Sequence, residues 1–190
     1  MANKGLLICV MMFVLSFPCS AQLPAAQKYK SPHGEVVEVR GVSKEPARAE
    51  SESRVTFYNA QHQVQCSLDF SSGDSEHGFG VVKTAWTPDG RYFVFSLASS
   101  GGHQAWHAPT EFYSLESGKV CSLDDYLNGA GVSEPNFTLK PPNTVSTEVE
   151  AGKPTAAEVK LDSLRNARGK RQQPPQCTPC SGGKVVKFGP

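Results

Sequence analysis

The sequence predicts an all-β protein, built of antiparallel sheets of short strands and ending in a structureless tail. Three observations predict it. Segments of four to eight residues alternate apolar and polar side chains, the period of a half-buried strand. Clusters of Gly, Pro, Asn, Asp and Ser punctuate those segments at regular intervals. Beyond residue 165 the apolar residues nearly vanish, and Pro174-Pro175 and Ser181-Gly182-Gly183 take their place.

The chain opens with an export signal. Lys4 precedes an apolar run from Leu6 to Phe17, shorter than the ~20 residues a bilayer span requires. Pro18 ends the run and Cys19-Ser20-Ala21 supplies the small-x-small pattern of a cleavage site. Cleavage is expected after Ala21, which places the protein outside the cytoplasm, periplasmic or secreted, with no transmembrane segment remaining. Ser16-Phe17-Pro18 is too bulky for a lipid-attachment motif at Cys19. The expected organisation is a signal peptide over 1–21, a lead-in over 22–35, a β domain over 36–165 and a basic Pro/Gly-rich tail over 166–190.

Within the domain, Val36-Val37-Glu38-Val39 reads as a strand and Ser43 to Ser53 as a charged loop. Arg54 to Tyr58 and Gln63 to Phe70 read as a hairpin. Val55, Phe57, Val64, Cys66, Leu68 and Phe70 are assigned to its core face, and Asn59 to the left-handed position of its turn. Phe79 to Trp86 and Arg91 to Ala98 form the next pair, joined by Thr87-Pro88-Asp89-Gly90. There Pro88 presets φ, Asp89 bonds nearby backbone and Gly90 takes positive φ without strain. Tyr92-Phe93-Val94-Phe95 is apolar on both faces, the mark of a central strand covered on both sides. Glu111 to Glu116 and Lys119 to Leu123 make a hairpin around Ser117-Gly118, and Asp124 to Leu127 one helical turn. A last hairpin is expected from Val145 to Glu150 and Glu158 to Leu164, with a helix over 155–168 as the competing reading.

The segment Val82-Lys83-Thr84-Ala85-Trp86-Thr87-Pro88-Asp89-Gly90-Arg91-Tyr92-Phe93-Val94-Phe95 resembles a blade of the TolB-like, WD-repeat-like β-propellers. In those proteins a strand ending in Trp-Ser-Pro-Asp-Gly turns into an aromatic-rich strand. The resemblance covers residues 79–124 and implies propeller-blade-like hairpins and an exported binding or scaffolding role. It carries over no catalytic residue. A propeller requires ~4–8 blades, and this chain has room for about three, so a closed propeller is not expected.

Charge is split along the chain. Residues 22–162 carry 18 acids against 12 bases, and the tail carries Arg165, Arg168, Lys170, Arg171, Lys184 and Lys187 with no acid. Such a tail is either a solvated end or a contact for an anionic surface. No strong nucleic-acid signal accompanies it.

After signal removal four cysteines remain, Cys66, Cys121, Cys177 and Cys180. An even count in an exported chain fits two disulfides. The preferred pairing is Cys66–Cys121 with Cys177–Cys180, the first closing a long loop worth roughly 4 kcal/mol in the chain-entropy model. The competing reading leaves Cys66 and Cys121 as buried strand thiols. Cys177-Thr178-Pro179-Cys180 has redox-motif spacing, but Ser181-Gly182-Gly183 replaces the helix that would activate a thiolate.

The binding candidates are His103, Gln104, Trp106 and His107, an aromatic-plus-polar cluster in a loop of small residues. Gly101, Gly102 and Pro109 argue against the helix that would let the two imidazoles share a metal, so no metal is assigned. Gly73-Asp74-Ser75 resembles the nucleophile block of GDSL-type esterases, but no His follows His107 to complete that machinery. No Gly-x-Ser-x-Gly elbow, P-loop or dinucleotide fingerprint is present, and no catalytic residue or cofactor is assigned. The residues point to a binding or interaction module for a protein or envelope component, with a small extracytoplasmic hydrolase as the alternative.

Overall fold

A strand apolar on both faces needs a layer above it and a layer below, and the computed structural model supplies both. It describes residues 26–42, 52–101, 107–127, 130–150, 153–164 and 178–179. The signal segment 1–21 and most of the tail lie outside them. The described residues form three antiparallel sheets of short strands that do not close into a barrel.

The first sheet is a meander of β1 (Gln27–Lys30), β2 (Val36–Gly41), β3 (Ser53–Tyr58) and β4 (Val64–Asp69). The middle sheet continues with β5 (Phe79–Trp86), β6 (Tyr92–Ser99), β7 (Thr110–Ser114) and β8 (Lys119–Ser122), again in sequence order. A 3-10 turn over Asp124–Tyr126 leads to the third sheet. There β11 (Thr144–Glu150) pairs on one side with β9 (Gly131–Val132) and β10 (Thr138–Lys140), and on the other with β12 (Pro154–Lys160). A short helix, α1 (Leu161–Leu164), follows, and β13 (Thr178–Pro179) pairs in parallel with β8.

Strand periodicity sorts the middle sheet's side chains into two cores. Phe93, Phe95, Leu97, Tyr113 and Val120 face the first sheet and pack with Val37, Val55, Phe57, Cys66 and Leu68. Their neighbours Tyr92, Val94, Phe112 and Cys121 face the third sheet and pack with Val132, Phe137, Val145, Val159 and Leu161. Phe57 stacks on Tyr113 with ring centroids 4.0 Å apart, and Phe93 meets Trp86 edge-on at 5.2 Å.

The turn at residues 87–90 fastens all three sheets at one end. Gly90 has φ +69°, and Pro32 and His33 of the β1–β2 turn lie so close that a Cβ there would meet them at 2.8 and 2.9 Å. His33 Nε2 lies 2.9 Å from the Asp89 carbonyl. The Asp89 carboxylate accepts from Thr87 Oγ1 (2.6 Å), Arg91 Nε (3.0 Å) and Asn143 Nδ2 (2.6 Å). Asp162 of α1 accepts from Arg91, from Tyr92 OH (2.9 Å) and from Asn143 Nδ2 (3.0 Å). Burial alone would raise both carboxyls, but these donors outweigh it and hold them below the usual carboxylate range.

Several expectations are corrected. The lead-in 22–35 contributes a strand, β1, because Tyr29 packs against Phe93 and its carbonyl accepts from Trp86 Nε1 at 3.1 Å. Val64 leaves the core face and is 58% exposed, since the register shifts between Phe57 and Tyr58. In the β3–β4 turn the positive φ falls on His62. Asn59 instead uses its side-chain oxygen to accept from the amides of Gln61 and Gln63. Residues 155–168 are neither all strand nor all helix: β12 runs to Lys160 and α1 begins at Leu161. The tail is not wholly without structure, because 178–179 join the middle sheet. Cys66 and Cys121 lie in different cores with the middle sheet between them, so the Cys66–Cys121 pairing does not form.

The two-sided burial of β6 sets a test. Phe93→Ala, at a side chain with no exposure, is expected to cost about 3–5 kcal/mol in denaturant titration. Val82→Ala, on the 44% exposed Val82 of β5, is expected to change stability by under ~0.5 kcal/mol.

Candidate functional site

The opposite end of the middle sheet, where β5 begins and β6 ends, gathers most of the remaining polar chemistry. Glu52 is 1% exposed and its carboxylate accepts from the amides of Ser72 and Gly78 (both 2.8 Å), from Ser100 Oγ (3.0 Å) and from Ser72 Oγ. Burial would raise its pKa, yet these donors together hold it below the usual value. Glu52 therefore pins the β4–β5 loop to the end of β6. Asp74 closes that loop by accepting from the amide of Glu76 and from Ser72 Oγ, and by pairing with His77 Nδ1 at 2.5 Å. The Gly73-Asp74-Ser75 segment thus serves loop closure, with Asp74 as its hub.

Of the four binding candidates, His107 is described, while His103, Gln104 and Trp106 lie outside the described residues. His107 Nε2 meets Asp124 Oδ2 at 2.7 Å, and Asp124 Oδ1 accepts from the Val132 amide at 3.1 Å. The imidazole lies against Gly131, where a Cβ would come within 2.9 Å of the ring. Next to His107, the Ala108 amide donates to the Val132 carbonyl at 2.9 Å. The foot of the β6–β7 loop is therefore fixed by the 3-10 turn and by β9 together.

Glu111, at the start of β7, stands near the same carboxylates. Burial, then the negative charges of Asp124 and Asp125, push its carboxyl up to about 7, opposed by a hydrogen bond from Ser122. No local pattern in the chain signals this grouping. Asp124 read as part of a helical turn and Glu111 as one end of a hairpin, and only the return of β8 beside β7 brings them together.

Among the described residues no group of three His, Cys, Asp or Glu side chains is arranged to hold a metal ion. No helix among them is long and apolar enough to cross a membrane. No family model, no curated protein and no solved structure matches this chain.

Glu111 generates a pH prediction. A glutamate raised above its unfolded value loses nothing at low pH, where both states hold the proton. Stability falls as pH rises through the unfolded pKa near 4.5 and levels off above the folded pKa of about 7. Glu111→Gln is expected to remove that loss, so that the variant exceeds the parent by roughly 3 kcal/mol at pH 8 and matches it near pH 4. Thermal melts across that range check it.

Proposed function

We propose that the chain is an exported binding module that engages a protein or envelope component through the β6–β7 loop. The observation that carries this reading is the anchored foot of the loop. His107, held by Asp124 and seated on Gly131, fixes where the segment bearing His103, Gln104 and Trp106 leaves the scaffold. A surface loop set on a rigid β scaffold is the usual place for recognition, and an aromatic flanked by polar side chains is its usual composition.

The apolar run ahead of Cys19-Ser20-Ala21 supports export with cleavage after Ala21. The likeness of residues 79–124 to a TolB-like propeller blade is supported by the sequential four-stranded order of β5 to β8, and such blades serve binding and scaffolding. The six basic residues of the tail supply a contact for an anionic surface.

Immobilised chain and its Trp106→Ala variant, exposed to the solubilised envelope fraction, test the reading. Trp106→Ala is expected to lower capture of the bound component at least tenfold while the melting temperature stays within a degree or two. Equal capture by a still-folded variant rejects the loop as the contact. Glutamine in place of Arg165, Arg168, Lys170 and Arg171 tests the tail without removing β13.

A second reading, a small extracytoplasmic hydrolase, is favoured by one observation: a His–Asp pair lies close to a carboxyl that titrates near neutrality. Turnover of ester or glycoside probes that vanishes in Glu111→Gln and persists in Trp106→Ala would replace the first reading with this one.

A further inference from the structure

The border strands of the three sheets are finished differently. β1 is four residues long, and its Tyr29 carbonyl already accepts from Trp86 Nε1. β9 and β10 are two and three residues long. β12 is the longest border strand whose pairing runs without a shift: its seven residues, Pro154 to Lys160, all pair with β11 in one register. Among the described residues no strand lies on its other side. Only Val159 of its side chains is buried, and Ala156 and Ala157 leave the edge unobstructed.

The hydrogen bonds around β11 show which way the backbone of β12 points. The Leu161 amide donates to the Asn143 carbonyl at 3.0 Å, and the Glu148 carbonyl accepts from the Ser133 amide on the far side of β11. Bonding direction alternates along an antiparallel strand. Thr155, Ala157 and Val159 therefore turn their backbone groups to β11, while Ala156, Glu158 and Lys160 turn theirs outward. Pro154 shares the outward set, where a missing N–H removes no bond from the sheet. The outward residues 154, 156, 158 and 160 are symmetric about Ala157. A second β12, antiparallel across a two-fold axis at Ala157, sets Ala156 opposite Glu158 of the second copy, and each pair exchanges amide and carbonyl bonds. The Lys160 amide meets the Pro154 carbonyl, the one backbone group proline can offer. The two Ala157 residues form a non-hydrogen-bonded pair, with Cα atoms about 4.5 Å apart, a close approach that a small side chain suits.

The charges on the outer face agree with that register. Glu148 and Glu150 of β11 lie beside Ala156 and Pro154, on the face that also carries Glu158 and Lys160. Lys140 already reaches across the whole width of β11 to Glu158. In the two-fold arrangement Lys160 stands at the same remove from Glu150 of the second copy, with only the flat ring of Pro154 between them, while each Glu158 keeps its own Lys140. We propose that β12 is the docking edge for a second copy of this chain, and that two third sheets join through it into one continuous sheet. Both copies spend the same edge on the contact, so assembly closes at the dimer. The contact is independent of the β6–β7 loop and of what that loop binds.

Sedimentation equilibrium of the full chain over a concentration series tests the proposal. The parent is expected to approach twice the chain mass as concentration rises. Ala156→Pro deletes an outward N–H and no bond to β11, so it is expected to keep the parent melting temperature and to stay monomeric throughout. Under mild oxidation Ala157→Cys is expected to run as a cross-linked dimer on a non-reducing gel, since a disulfide spans Cα distances of ~4.4–6.8 Å. Thr155→Cys, whose two copies stand about 14 Å apart along the strands in this register, is expected to stay uncross-linked, as is the parent. A parent that remains monomeric, as it would if β12 paired within its own chain, overturns the proposal. So does a dimer that a folded Ala156→Pro leaves intact. Where Ala156→Pro lowers the melting temperature, the cysteine variants decide: cross-linking of Thr155→Cys in place of Ala157→Cys, or of neither, overturns the two-fold pairing.

Discussion

The structure depends on one strand being buried on both sides. Tyr92, Phe93, Val94 and Phe95 are each almost fully removed from water, and their side chains divide evenly between two cores. Neither outer sheet has two such apolar faces. The outward side of the first sheet carries Thr56 and Ser67, joined across the strands at 3.1 Å, and Arg54 paired with Asp69. The outward side of the third carries Lys140 paired with Glu158. Each outer sheet has one apolar face to bury, and the middle sheet supplies the only kind of surface that can take both.

This arrangement explains which parts of the fold were legible in the sequence. Strands with a strong period of two, such as β3 and β4, and the turn at Asp89-Gly90 declare themselves locally. So does β6, because no other element has its unbroken apolar run. What local pattern does not carry is the pairing of distant segments. Gln27 to Lys30 has no apolar alternation and becomes a strand only because β2 offers it an edge and Phe93 a contact for Tyr29. The short β9 and β10 exist as partners of β11. Thr178 and Pro179 read as tail and join β8 from more than fifty residues away.

The candidate site divides in the same way. His107 is visible as a residue type in a suggestive loop, but its partner comes from the 3-10 turn beyond β8, and its seat from Gly131 on the third sheet. The Glu111 carboxyl is raised first by its burial and then by two further carboxylates folded towards it, a property no single segment encodes. The Asp74–His77 pair shows the converse. Asp74 sits in the segment that resembles an esterase nucleophile block and His77 lies three residues on, yet their hydrogen bonds serve the closure of their own loop.

The position of β13 has a consequence for how the molecule meets copies of itself. An open sheet edge presents a row of unsatisfied amides and carbonyls on which another chain can polymerise. At one margin of the middle sheet β13 lies along β8 and covers part of that row. At the other, the register of β5 slips between Val81 and Lys83, and the Val81 amide is already taken by Ser53 Oγ at 3.0 Å. A slipped, partly occupied margin is a poor template for a flat incoming strand. The sheet that packs into both cores thus has neither border fully open to fibrous growth.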